Sequence, residues 1–294
     1  MAEQLMAELP PAATSGTLAS TGMLHRVMRS MELWVSAAIV ILIILACFVW
    51  PEIYAVPNPV VGQLTQANLP PFSLHHILGT DPLGEDNLAR LLYGGRISLE
   101  IGFGAVAIGL VVGGAVGVFS AYWGGLVDTI VARFLDMFLA LPSLVLAIVI
   151  STYLGPSELH VIWAVSLYSM PAFARLARTS TSRVRSQTFV SASKLSGARD
   201  WSVITRHVVR NIAPELLTFS LLNVSVAIIV ESSLNFLGLG IRPPTPTLGS
   251  MIAVGQQNIY SEPYLLIVPC AFLFVIVLAL NLLGDAVRAR WSKQ

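Results

Sequence analysis

The chain has 294 residues, of which 55% are hydrophobic and 11% charged, and its mean hydropathy is +0.75. Soluble domains carry roughly 25% charged residues, so the composition excludes a soluble protein and points to one embedded in a membrane. A net charge of +1 gives no sign of a nucleic-acid or acidic partner, which leaves the placement of the basic residues to carry the information.

Residues 1–22 are rich in Ala, Ser, Thr and Pro, and residues 1–30 read as a disordered cytoplasmic tail. Residues 31–97 hold a first apolar run, Leu33–Val49, and a long loop. Arg26 and Arg29 precede the run, but it is too long for a signal peptide and no small-x-small site follows Trp50. The loop, Pro51–Ile97, is studded with Pro and Asn, and a short amphipathic helix is predicted near Asn87–Tyr93. Residues 98–294 form a five-helix core with runs at Ser98–Ala121, Val131–Tyr153, Leu159–Phe173, Leu216–Phe236 and Tyr264–Leu283. Each run is near the roughly 17–25 residues that cross the hydrocarbon core. The shortest is expected to end beside Pro171, with Trp163 and Tyr168 anchoring it at the interfaces. Pro142 and Pro269 are expected to kink their helices. Between the last two spans, Gly238–Pro263 carries PPTPTLG, whose prolines predict a stiff outer cap. Barrel strands would alternate over about ten residues, so the fold class is all-α, with six transmembrane helices. Cys47 and Cys270 lie inside apolar runs and are expected to be buried, inert thiols.

Six spans with a cytoplasmic N-terminus place every Lys and Arg except Arg90, Arg96 and Arg242 on the inner side. The positive-inside rule therefore puts both termini of a multi-pass membrane protein in the cytoplasm. The inner segment at 175–211 is long and basic, with Asp200 as its one acid. Ordinary bundle connections are about two to eight residues long. Phe189, Leu195, Trp201, Ile204 and Val208 recur near helical spacing, so short helices along the inner face are predicted, broken at Gly197. Attraction to anionic lipid accounts for the charge. It does not account for the small-residue patch Ser191, Ala192, Ser193 followed by Gly197 and Trp201, which suits close packing against another protein.

The order Ser191, Ala192, Ser193, Gly197 resembles the Glu-Ala-Ala, three residues, Gly loop of binding-protein-dependent ABC transporter permeases. LGTDPLGEDNLARLLYGGRISL from Leu78, YWGGLVDTIVARFLDMFLALPSLVLAI from Tyr122, ESSLNFLGLGIRPPTPTLG from Glu231 and NLLGDAVRARW from Asn281 are similar to segments of the dipeptide and oligopeptide branch. The chain is identified as a C-type permease subunit of that branch, similar to it from about residue 30 to 291. The resemblance implies a type I ABC importer permease fold. It also implies a homologous second permease as heterodimer partner, two ABC ATPases that use ATP and Mg, an extracytoplasmic binding protein and a peptide substrate. It assigns ATPase coupling to Ser191, Ala192, Ser193, Lys194, Gly197, Ala198, Asp200 and Trp201. The sequence departs from the pattern at Ser191, where the family has Glu, at Ser193, and at Glu85, where Gly-Arg-Asp is usual.

No Gly-x-x-x-x-Gly-Lys-Ser/Thr loop occurs, and neither lysine follows a glycine. The chain is therefore expected to bind no ATP, to catalyse nothing and to carry no cofactor; His75 and His76 adjoin, but no metal site is predicted. Gly109, Gly113 and Gly117 form a small-residue ridge for helix packing, within the chain or against the second permease. Among charges in spans, Glu231 with Ser232 and Asn235 is a candidate for the translocation path; Glu231 is equally a candidate to cap a break before Ser232 or to pair with the partner subunit. Arg133 and Asp136, three apart, are expected to pair, and Glu100 to reach the solvated interface. Nickel or glutathione uptake is the rival within the family. An ion-coupled secondary transporter is the rival from another class, but it would favour a second inverted half; a non-transporting scaffold would associate with no ATPase.

Overall fold

A computed structural model describes residues 32–53, 57–73 and 76–291. The predicted tail with Arg26 and Arg29, His75 and Lys293 lie outside the described residues. The described residues are helical, with no strand beyond two isolated bridges, Ser73 with His76 and Thr80 with Asp86.

Helix α1 is Glu32–Ile53 and α2 is Asn87–Trp123, which carries one wide turn at Gly109–Gly113. The amphipathic helix expected at Asn87–Tyr93 is not separate, because it forms the first turns of α2. Asp86 sets that start by accepting the Ala89 amide at 2.8 Å, and Ala89, Leu91 and Leu92 are buried rather than laid on a surface. The next predicted span is two helices, α3 Gly125–Leu139 and α4 Ser143–Leu154, bent by 87°. Pro142 thus does more than kink: Ala140, Leu141 and Pro142 stand outside both helices.

Helix α5 is Glu158–Arg185 and runs straight past the expected stop, with Pro171 inside it and buried. Its neighbours explain both features. The helix packs most extensively on α2 and also touches α3, α4 and the later span α7, Asp200–Phe236. Ser166, Ser169, Ser180 and Thr181 therefore face protein rather than lipid. Among the described residues, four helices (α1, α2, α7 and α9, Tyr264–Trp291) are long and apolar enough to cross a membrane, and the bent pair makes up to five. Helix α5 falls outside that group because His160, Ser166, Ser169 and Pro171 dilute its apolar half and Arg175, Arg178, Arg183 and Arg185 occupy the other.

The basic loop is correspondingly shorter than predicted. Its first residues belong to α5, and α7 begins at Asp200 instead of Leu216, which leaves α6, Thr188–Leu195, and two short linkers. A further helix, α8 Leu248–Gln257, occupies the predicted outer loop and is started by a Thr247–Ser250 capping box. Helix α9 continues through the buried Pro269 and carries Cys270 on its exposed side, not in the interior; Cys47 is buried as expected. The centre of the bundle is α2, α5 and α7, with α8 and α9 against α7 and Ile101, Phe173, Ile228, Leu234, Ile276 and Leu280 in the core.

Candidate functional site

Helix α6 stands at the end of the bundle where α2 finishes and α5 and α7 meet, called here the basic end. Val190 is its one buried residue, and Ser191, Ala192 and Leu195 are exposed. It is joined to α7 through Gly197, whose φ of +82° is a left-handed conformation open to glycine and costly for other residues. A Cβ at Gly197 would meet nothing within 4 Å, so the backbone angle rather than crowding demands glycine there.

The residues predicted to act together are divided by the structure. Ser191, Ala192 and Gly197 face outward. Lys194 and Asp200 are exposed too but also touch the bundle: the Tyr122 hydroxyl donates to Asp200 Oδ1 at 2.5 Å, Lys194 Nζ is 3.7 Å from Asp200, and the ammonium lies 4.4 Å from the Tyr122 ring centroid. Trp201 stacks on Phe119, with ring centroids 6.1 Å apart, and Phe119 stacks in turn on Trp123. Ser193 Oγ lies 3.4 Å from His207 Nε2, and Ala198 packs against the core. Tyr122 and Phe119 carry no expectation from the sequence, although the aromatic pair Tyr122–Trp123 before Gly124 was an available signal; the serines near His207, expected as surface polar residues for want of an orienting acid, include Ser193.

Part of the charge at this end is paired. Arg178 grips Asp128 through Nε at 2.5 Å and Nη2 at 2.7 Å, and Arg183 reaches Glu215 at 2.7 Å. Asp136 pairs with Arg175 of α5 at 2.6 Å, not with Arg133. The pairing expected on one helix gives way because the guanidinium of the neighbouring helix reaches the carboxylate directly.

At the opposite end, called the cap end, residues 57–86 fold over the start of α2. Arg90 is enclosed by Asp81, at 3.7 Å, and by Glu85, and donates to the Pro59 carbonyl at 3.1 Å. Burial pushes the Asp81 carboxyl above its usual range, while the Arg90 guanidinium and the Leu83 amide pull the other way. His76 Nδ1 is 2.7 Å from Asp86, and the Tyr264 hydroxyl donates to the carbonyls of Leu69 and Thr80. Glu100 bonds Arg96 at 3.0 Å on the same helix.

Glu231, Ser232 and Asn235 are brought together, but inside the protein. They are 0%, 4% and 4% exposed, and α7 is unbroken through them, so there is no helix end for Glu231 to cap. Ser232 Oγ donates to Glu231 at 3.0 Å and Asn235 Nδ2 at 2.5 Å. Ser98 of α2 lies against the same carboxyl without completing a full hydrogen bond. Asn235 Oδ1 accepts the Ile241 amide at 2.7 Å, which fastens the turn after α7. The glycine ridge faces α5: Cβ atoms at Gly109, Gly113 and Gly117 would strike Ser169, the Met170 carbonyl and the Ala174 carbonyl.

The family profile described as "Binding-protein-dependent transport system inner membrane component" matches residues 109–293. The chain is 34% identical over 256 residues to the glutathione transport system permease protein GsiD of Pectobacterium atrosepticum, covering 86% of this chain and 84% of that one. It is 38% identical over 216 residues to GsiD of Escherichia coli O157:H7, covering 74% and 71%. To the dipeptide transport system permease protein DppC of Alkalihalophilus pseudofirmus it is 34% identical over 257 residues, covering 85% and 84%. A chain of the inward-facing MetNI methionine ABC transporter superposes with a TM-score of 0.51 at 19% identity, over 68% of this chain and 95% of that chain. That likeness speaks to the fold alone.

Proposed function

The chain belongs to the family of binding-protein-dependent transport system inner membrane components, and from that premise we propose that the cargo it passes is a short peptide. It is the permease subunit of an ABC importer. The observation that carries the peptide reading is the similarity over 85% or more of the chain to permeases named for glutathione, itself a tripeptide, and for dipeptides.

In this reading the basic end lies in the cytoplasm and the cap end faces the binding protein, in keeping with the positive-inside rule. Ser191, Ala192 and Gly197 offer α6 to one of two ATPases, which bind ATP and Mg and supply all the catalysis. A homologous permease completes the pathway, and the apolar residues exposed on α3, Leu126, Ile130, Phe134 and Met137, suit a helix-lined or lipid-lined partner. With Ser191 in place of the family's Glu, docking rests on the shape of the exposed small residues. Closure of the two ATPases would displace α6 and switch access between the two faces. Glu231, Ser232 and Asn235 serve the pathway from behind, by holding the end of α7 and the turn to Ile241.

The test is uptake into vesicles holding this chain with its second permease, ATPases and binding protein. Dialanine, trialanine and glutathione are each expected to compete for ATP-dependent uptake of a labelled peptide. Uptake of Ni2+ untouched by any of the three would sink the peptide reading and leave the importer standing.

A further inference from the structure

Helix α6 is attached to the rest of the chain by little covalent structure and few side chains. Two residues link it to α5, four link it to α7, and Val190 alone is buried. Displacement of α6 can reach the bundle through Val190, through the Phe189 and Ser193 contacts with His207, and through the contacts that flank the Gly197 turn. Lys194 is near the end of α6 and Asp200 opens α7, so the pair straddles the turn, and both converge on one group. Tyr122, 2% exposed in the last turn of α2, donates its hydroxyl to Asp200 at 2.5 Å and presents its ring to the Lys194 ammonium at 4.4 Å.

Tyr122 lies just beyond Gly117, where α2 touches the Ala174 carbonyl of α5. Arg185, in the last turn of α5, closes the same corner by donating to the Ala121 carbonyl at 3.0 Å. The Tyr122 hydroxyl is thus the point at which the α6 turn meets the packed α2–α5 pair. Hydrogen bonds to a charged acceptor are among the stronger ones in proteins, and the cation over the ring adds to this one.

We propose that Tyr122 is a positioning residue for transport: it fastens the Lys194–Asp200 pair, and so the docking turn, to α2, and passes the displacement of α6 into the membrane helices. Lys194 and Asp200 then work on the inner side of the turn and leave Ser191, Ala192 and Leu195 to the ATPase. This inference rests on the docking reading given under Proposed function.

The experiment uses the full complex in proteoliposomes, with uptake of labelled trialanine and glutathione and ATP hydrolysis measured on the same preparations. Tyr122→Phe keeps the ring and loses the hydroxyl. It is expected to assemble normally and to lower uptake per ATP hydrolysed about tenfold, the size of one hydrogen bond to a charged group. Asp200→Ala is expected to lose at least as much, because it also removes the partner of Lys194, and Asp200→Asn, which keeps an acceptor oxygen, to lose less than Asp200→Ala. The double variant Tyr122→Phe/Asp200→Ala should be no worse than Asp200→Ala alone, because the Tyr122 hydroxyl acts only through Asp200. Uptake per ATP unchanged in Tyr122→Phe, or losses that add in the double variant, overturns the proposal. If Tyr122→Phe lowers the yield of complex, the contrast between Asp200→Ala and Asp200→Asn decides it, because Asp200 is exposed and outside the core. Ala192→Cys crosslinking to the ATPase in both the parent and the Tyr122→Phe background shows that docking holds, so a failure is then of the fastening alone; no crosslink from Ala192→Cys in the parent removes the docking reading and the proposal with it.

Discussion

A carboxyl group enclosed in an apolar helix bundle has to find donors or raise the free energy of the folded state by several kcal/mol. Glu231 finds Ser232 and Asn235 on its own helix, and Asn235 extends the chain of bonds to the Ile241 amide. Replacing Glu231 by Leu would take the acceptor from the buried Ser232 hydroxyl and leave the Asn235 amide only the Glu231 carbonyl, at 3.2 Å, a loss of about 1–3 kcal/mol, whereas Gln keeps an acceptor in the same place. Thermal unfolding in detergent should therefore rank parent, Glu231→Gln and Glu231→Leu in falling order, and equal midpoints for Leu and parent would refute the arrangement. Gly197 makes a different kind of demand. With φ at +82° and open space around it, a β-branched residue there costs about 1–2 kcal/mol through the backbone alone. Gly197→Val should thus leave membrane insertion intact and reduce uptake more than ATP hydrolysis; intact uptake would count against a role for the turn.

Helices α2 and α5 meet along glycine because backbone has to touch backbone. Added side-chain volume at Gly113 would overlap the Met170 carbonyl, while a methyl group on Gly114, the next residue round the helix, would stand in open space with nothing within 4 Å. Gly113→Ala is expected to destabilise the protein by about 1–3 kcal/mol and Gly114→Ala to be neutral or mildly stabilising, as read from unfolding midpoints; the reverse order would break the packing argument. The ridge, like most spans, was legible in the sequence because lipid-facing helices must be apolar and close-packed ones must be small. Other elements were not, for physical reasons particular to each. Helix α5 packs on α2, α3, α4 and α7 along part of its surface, so its buried serines, with its arginines, disguise its length. Helix α8 hides in a proline-rich loop, and its capping box uses Ser250 where Glu or Gln is the usual signal. The Asp136–Arg175 bridge joins residues distant in sequence, which local spacing cannot reveal. Within the candidate site, the small exposed residues were readable from their pattern. The contact of Lys194 and Asp200 with the bundle was not, because it depends on Tyr122, far away along the chain.

Across the whole molecule, the two ends differ in chemistry. The basic end gathers Arg175, Arg178, Arg183 and Arg185 on α5 and exposes Arg199, Arg206 and Arg210; the cap end neutralises Arg90 internally with Asp81 and Glu85. The proposed orientation follows from that contrast. In right-side-out vesicles, a membrane-impermeant maleimide should label Ser261→Cys but not Ser196→Cys, and inverted vesicles should exchange the two; labelling of both from one side would reject the orientation. The backbone contacts between α2 and α5 also decide where such a chain can change length. One residue inserted between Gly109 and Gly117 would turn everything after it by about 100°, swing Gly117 off the Ala174 carbonyl and drive a side chain into its place. The segment at 57–73, held by turns and scattered hydrogen bonds, has no such phase to keep. Insertions and deletions in natural versions of this protein should accordingly gather there and stop short of the middle of α2.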